Sequence, residues 1–351
     1  MFNVIERLNK DVFEIYIAVN KAGGSLYDEV VGKGYKVLVH PFSAETTKGI
    51  LNKINRLRSI AAYYKPYGFS IWQSFNWSSD YTEAVIAKLA GAKYVYVKKN
   101  MNWNRRAWKV KSRLSSAIVA RNTTMLKTMF ADGAYRHKVH FITGGVDTSR
   151  FYNASSTYKE DIGLPAESVL ISCVAQLVRT KGQDTLIKAI KGLPNVYLVL
   201  AGRFVDETYT QYLKTLAKEL GVEHNVIFAG GLSDVNTLLN ATDIFVLPTN
   251  KHSGHEEGCP VALLEAMACG APCIASNVAG SNDLIKHEYT GLLFTPANEE
   301  ELHTCLKRYI TDPLLAKRMS KNARALIAEN HTLQMESVAF EKLYRKLAGI
   351  V

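Results

Sequence analysis

The segment EGCPVALLEAMACGAPCIAS, residues 257–276, holds two glutamates, Glu257 and Glu265, with seven residues between them. Pro260 lacks an N–H and has a pre-set φ, which suits the first turn of a helix, and the run from Val261 to Ala268 is made of good helix formers. The pattern predicts a helix over 260–269, closed by Gly270 and Pro272. The first-turn amides of Val261 and Ala262 then have no partner inside the helix and lie at the positive end of its dipole. With the Gly258-Cys259 loop leading into it, that end is a ready site for a phosphate or diphosphate. Glu257 lies just before the site. Glu265 lies about one and a half turns inside the helix, to one side of the anion, where a carboxylate matches hydroxyls better than phosphate. Two carboxylates flanking such a helix end read as a cradle for a nucleotide-sugar, with Glu257 for sugar hydroxyls, Glu265 for ribose hydroxyls and amides for the diphosphate. For two isolated glutamates the plainer reading is a helix-entry acid and an ordinary surface residue.

Upstream, VLISCVAQLVRTKGQDTLIKAI (169–190) reads as a buried strand, a loop carrying Lys181-Gly182 and an amphipathic helix. A lysine beside a glycine at such a loop is either a diphosphate ligand or a solvated loop charge. VYLVLAG (196–202), VIFAGGLSD (226–234) and ATDIFVLPT (241–249) each run from a strand into a loop, at the strand ends where α/β sheets bind ligands. Gly202 and Gly230 there permit close backbone approach to a base or ribose.

Residues 2–150 alternate in the same way. FEIYIAV (13–19), YKVLVHPF (35–42), FSIWQSF (69–75), YVYVKK (94–99), SAIVA (116–120) and VHFITG (139–144) read as buried strands with helical patterns between them, a doubly wound α/β domain. The chain begins in a helical pattern, VIERLN (4–9), and neither a preceding strand nor the glycine-rich loop expected after it is visible.

The Glu257 to Glu265 spacing, the EAMA helix and the following G-A-P-C-I-A resemble the signature of the retaining nucleotide-sugar glycosyltransferases of GT-B architecture, glycosyltransferase family four. Further resemblance lies in VHFITGGVDTSRF (139–151), with Gly144 where the family has Asn, in AGSNDLI (279–285) and in GLLFTPANEEEL (291–302). It covers the whole chain and is strong from about residue 139 onward. It implies an α/β fold of two doubly wound Rossmann-like domains facing a cleft. Residues 1–152 would be the acceptor domain, 153–333 the donor domain, and 334–351 a helix packing back toward the first domain. The implied reaction moves a sugar from a nucleoside diphosphate donor to a lipid-linked or polysaccharide acceptor with retention of configuration, with no cofactor and no catalytic metal. Glu257 and Lys181 would be catalytic, and Glu265, Gly258, Cys259, Val261, Ala262, Gly202 and Gly230 would bind the donor. The family's G-R-L-x-x-x-K-G loop carries an arginine where this chain has Gln176, so one cationic phosphate contact at the donor is either missing or supplied by Arg179. Against the family pattern the chain looks shortened by one strand at its start, and Gln73–Asn76 and Lys98–Asn100 lack the histidine often found at those strand ends. The competing classes are a nucleotide-sugar epimerase and a degenerate nucleotide- or nucleic-acid-binding protein.

At 351 residues, two domains are expected. No apolar run approaches a membrane span and no leader pattern opens the chain, and all five cysteines fall in apolar or helical contexts, so reduced thiols in the cytoplasm are expected. His252, His255 and Cys259 cluster but would need a fourth ligand to hold structural zinc. The net charge of +11 is uneven, since Ala84 to Ala131 contains eleven Lys and Arg and no acid. That block points to an anionic partner, in the first place the inner face of a membrane, with nucleic acid as the weaker alternative. Within it, a helix over 103–118 would present Trp103, Ala107, Val110, Leu114, Ala117 and Ile118 on one stripe and Arg105, Arg106, Lys109 and Arg113 on another, either packed on the sheet with a solvated basic face or facing a membrane. Trp108 falls off the apolar stripe, as an exposed interfacial or acceptor-binding tryptophan would.

Overall fold

The computed structural model describes residues 2–131, 133–251 and 256–350. They form two compact units: one runs up to Ile142 and takes in the segment from Glu336 onward, the other is Thr143–Met335.

The second unit is built on one six-stranded sheet of β7 (Val169–Val174), β8 (Val196–Ala201), β9 (Val226–Gly230), β10 (Ile244–Leu247), β11 (Cys273–Ser276) and β12 (Leu292–Phe294). Its strand order is β12-β11-β10-β7-β8-β9, with every pairing parallel. The strands are continuous apolar runs because helices cover both faces. Ile171, Leu198, Val246 and Ile274 face one core, and Phe245, Cys273 and Ala275 face another with Leu263, Leu264 and Met267 of the Val261–Cys269 helix. The chain proceeds outward from β7 to β9, then returns past β7 to β10. The order therefore reverses between β7 and β10, and a crevice opens there at the strands' C-terminal ends.

The first unit holds β1 (Tyr16–Val19) paired in parallel with β2 (Lys36–Val39), and a parallel sheet of β3 (Ile71–Ser74), β4 (Lys93–Lys98), β5 (Ala117–Ala120) and β6 (Val139–Phe141) in that order. The glycine turn that the sequence pattern left out of this half follows the FEIYIAV strand. After a short helix, Phe2–Ile5, β1 leads through Gly23 and Gly24, both at φ above +90°, into the Ser25–Gly32 helix and then β2. β1 is only four residues long and follows a helix, so FEIYIAV showed a strand without showing that it was the first.

The C-terminal helix Leu333–Ala348 lies, from Glu336, within the first unit. Glu336 pairs with Arg121 at 2.6 Å, the Tyr344 hydroxyl donates to Gln73 Oε1 at 3.0 Å, and Phe340 and Leu343 are buried. Near the change of unit, Val146 and Thr332 form a bridge, and a Cβ on Gly145 would lie 2.4 Å from the Thr332 carbonyl oxygen. Close backbone approach, rather than flexibility, requires glycine there.

Candidate active site

The loops leaving β7 and β10 meet at the switch point. After β7 the chain turns through a 3-10 segment, Arg179–Lys181, into Gly182 at φ +66°. A side chain on Gly182 would collide with the loop after β10, its Cβ 2.1 Å from the Pro248 carbonyl oxygen. This contact sets Lys181 beside the loop after β10 and the entry to the Val261–Cys269 helix. Lys181 Nζ lies 2.5 Å from Glu257 Oε1, and the Thr249 hydroxyl donates to the same oxygen at 2.7 Å. Glu257 is held from below by the turn after β11, where a Cβ on Gly280 would lie 2.8 Å from the Glu257 carbonyl oxygen. Its neighbour Glu256 accepts the Ala279 amide at 2.8 Å. A lysine and a glutamate 76 positions apart in the chain are thereby joined.

Beyond Glu257, buried Gly258 and Pro260 lead into the helix, while Cys259 packs its thiol against the apolar cluster beneath. The helix starts with Pro260 as N-cap and no side-chain cap. The amides of Leu263 and Leu264 both turn back to the Pro260 carbonyl, at 3.1 and 3.3 Å. Among the described residues no backbone carbonyl accepts from Val261 or Ala262, so that end presents N–H groups and the positive pole of the dipole.

Glu265 is partly buried, and burial raises its carboxyl to about 7 against an ordinary 4.5, with Arg150 pulling the other way. Arg150 is itself held by Asp234 at 3.2 Å. Ionising Glu265 in the folded chain costs more than in the unfolded chain. The native state is therefore expected to lose on the order of 3 kcal/mol as pH rises from about 4.5 through about 7, a loss that Glu265→Gln removes. Denaturant melts of both proteins at pH 5 and pH 8 measure it.

On the other side of β7 a groove of about 530 Å³ is lined by Val174, Gly202, Arg203, Leu232, Ser233 and Val235. Gly202 is fixed by packing, since a Cβ there would lie 1.9 Å from the Ala175 carbonyl oxygen, and its amide donates to Gly230 at 2.7 Å. Gln176 is exposed, and its carbonyl accepts the Gln183 amide at 3.0 Å. The Arg179 guanidinium lies over the rings of Tyr209 and Tyr212 at 5.4 and 5.5 Å.

Thr249, Arg150, Glu256 and Arg203 were missed by the sequence pattern. Thr249 and Arg203 end or follow strands β10 and β8, and that position was the available signal. His252 and His255 lie outside the described residues, so the metal cluster imagined around them has only Cys259 within the structure.

The basic helix departs from its pattern. It spans Arg106–Leu114 and buries Trp108, Lys111 and Ser112, so its inner face is turned away from the Ala107-Val110-Leu114 stripe. Trp108 is 3% exposed, stacked near Trp103 and capped by Lys98 Nζ at 3.6 Å from the ring centroid. It belongs to the core. Two of the block's eleven cations, Lys98 and Lys111, are buried with it, and burial lowers Lys98 to about 7. Arg105, Arg106, Lys109 and Arg113 remain exposed.

Residues 155–326, which lie within the second unit, match the family described as Glycosyl transferases group 1. Taken whole, the chain has the GT-B fold. It superimposes on a glycosyltransferase from Rickettsia africae with a TM-score of 0.86 at 19% identity, covering 99% of this chain and 94% of the other. HepE of Anabaena, solved with UDP and glucose, gives a TM-score of 0.83 at 20% identity over 97% of this chain and 94% of its own. In sequence the chain is 33% identical, over 196 residues, to the GDP-mannose-dependent monoacylated alpha-(1-6)-phosphatidylinositol monomannoside mannosyltransferase of Corynebacterium glutamicum, covering 52% of this chain and 50% of that protein. It spans about half the length of the curated relatives it matches. The epimerase and binding-protein alternatives have no counterpart among these matches.

Proposed function

We propose that this chain transfers a sugar from a nucleoside diphosphate-sugar to a lipid-linked or polysaccharide acceptor with retention of anomeric configuration. The observation that carries the proposal is the Lys181–Glu257 pair, at 2.5 Å, set at the sheet's switch point against a helix end with uncapped amides. A diphosphate arriving there meets the Val261 and Ala262 amides and draws Lys181 from Glu257, which leaves the carboxylate for the donor sugar's hydroxyls. Charge growing on the leaving diphosphate is stabilised by the same amides and ammonium, already oriented before reaction. Glu265 accepts from ribose hydroxyls, and the groove beside Gly202 and Ser233 has room for the base. The names of the relatives support the reading: one uses GDP-mannose on a phosphoinositide glycolipid, and HepE was solved with UDP and glucose.

A ribose hydroxyl donating to Glu265 favours its ionised form, so nucleotide binding is expected to release a proton near pH 6 to 7 and to tighten through that range. Calorimetry in two buffers of different ionisation heat counts the proton, and Glu265→Gln is expected to abolish that share of the release. The reaction itself is tested by incubating the chain with a panel of nucleotide-sugars and following slow donor hydrolysis by NMR. First release of the sugar in the donor's own anomeric form supports retention. Release of the opposite anomer, or of no sugar from any donor, counts against the proposal.

A further inference from the structure

Between Glu45 and Asp132 the sequence contains two carboxylates, Asp80 and Glu83. Both are buried in the first unit, 4% and 3% exposed, and both are engaged there. Asp80 accepts the Ser43 hydroxyl at 2.6 Å and the Thr82 amide at 2.8 Å, and Glu83 accepts the Trp72 indole at 3.0 Å and the Ser74 hydroxyl at 2.6 Å. The outer surface of residues 46–131 therefore carries cations without an exposed carboxylate. Lys48, Arg56 and Arg58, on or beside the Ile50–Tyr64 helix, and Arg105, Arg106, Lys109 and Arg113, on or beside the Arg106–Leu114 helix, are all exposed. Lys53 of the first and Ala107 of the second line one small cavity of about 90 Å³, together with Glu45, an exposed carboxylate at the border of this surface. On the first helix, amid these cations, Ile50, Leu51 and Ile54 are 81%, 76% and 39% exposed. Their spacing puts them on one side of the opening turns.

Exposed aliphatic side chains grouped on one helix among unpaired cations mark an interaction surface. We propose that this face docks on an anionic lipid bilayer, with Ile50, Leu51 and Ile54 entering the interfacial region and the surrounding Lys and Arg holding the headgroups. Cations alone would suit any polyanion. The most exposed apolar groups of this helix, Ile50, Leu51 and Ile54, are aliphatic, which suits acyl chains, whereas RNA recognition stacks bases on aromatic rings; the exposed ring of the helix, Tyr63, lies at its far end at 36% exposure. The docking is independent of the transferase reading, because none of these residues belongs to the second unit.

The test is sedimentation of the full chain with vesicles of phosphatidylcholine alone and of phosphatidylcholine mixed with phosphatidylglycerol. The parent is expected to sediment with the mixed vesicles and little with the neutral ones. Joint replacement Ile50→Ser, Leu51→Ser and Ile54→Ser, and separately Arg105→Gln, Arg106→Gln, Lys109→Gln and Arg113→Gln, are each expected to lower partitioning about tenfold or more. Added salt should strip the serine variant completely and the parent only in part, because insertion of aliphatic groups is not screened. All seven side chains are exposed, and unchanged melting curves check that each variant is folded. The proposal is overturned if a folded serine variant sediments like the parent, or if the parent at matched salt prefers single-stranded RNA to the mixed vesicles.

Discussion

Glu257→Ala is expected to slow sugar transfer by about two to three orders of magnitude while leaving nucleoside diphosphate affinity undiminished. The asymmetry follows from the geometry. The Glu257 carboxylate holds Lys181 at 2.5 Å, so its removal releases the ammonium to the diphosphate instead of taking away a nucleotide contact. What is lost is the group that would fix the donor sugar, and misplacement of a reacting centre by even ~1 Å costs about 100-fold. Calorimetry with the diphosphate alone and rate measurements with the intact donor separate the two effects. A variant that binds the diphosphate more weakly and transfers at an unchanged rate would put Glu257 among the nucleotide contacts only.

Gly182→Ala is expected to destabilise the second unit by about 2–4 kcal/mol and to abolish donor binding in the fraction that stays folded. Two costs add. The backbone there has φ +66°, which disfavours any side chain, and the new methyl would meet the Pro248 carbonyl oxygen at 2.1 Å, well inside contact distance. Neither neighbour is a flexible side chain, so relief requires one loop to move, and Lys181 moves with it. Denaturant unfolding of this variant against the parent measures the first effect. A melting curve equal to the parent's would show that the two loops are not packed as described.

The second unit was legible because its signals are local. Pro260 and Gly270 bracket the predicted helix, which spans Val261–Cys269 and ends on Gly270 in the left-handed conformation at φ +84°. Apolar runs without alternation marked the strands of a sheet covered on both faces. Pairings across the fold were not legible in this way. Nothing in the spacing of the chain joins Lys181 to Glu257 or brings Thr249 to the same oxygen. Arg150, whose charge acts on Glu265, and Asp234, which pairs with Arg150, lie in segments that the pattern read for their backbone and not for these side chains.

The basic helix misled for a definite reason. A helical wheel puts lysine outside, yet Lys111 is buried, donating to the Ser78 carbonyl at 3.2 Å with its ammonium 5.2 Å from the Tyr96 ring centroid. Once a lysine lies on the inner face, Trp108 turns inward with it, and the supposed apolar stripe at Val110 faces out at 36% exposure. Cations accommodated against aromatic rings leave no periodic trace in sequence.

The most direct test of the donor site is calorimetric titration of the chain and of its Lys181→Ala variant with a panel of nucleoside diphosphates. At least one diphosphate is expected to bind the parent, and the variant is expected to bind it about 10- to 100-fold more weakly, the loss of one charge-assisted contact. If no diphosphate binds, or if the folded variant binds as tightly as the parent, the Lys181 and helix-end site is not where this protein holds a nucleotide.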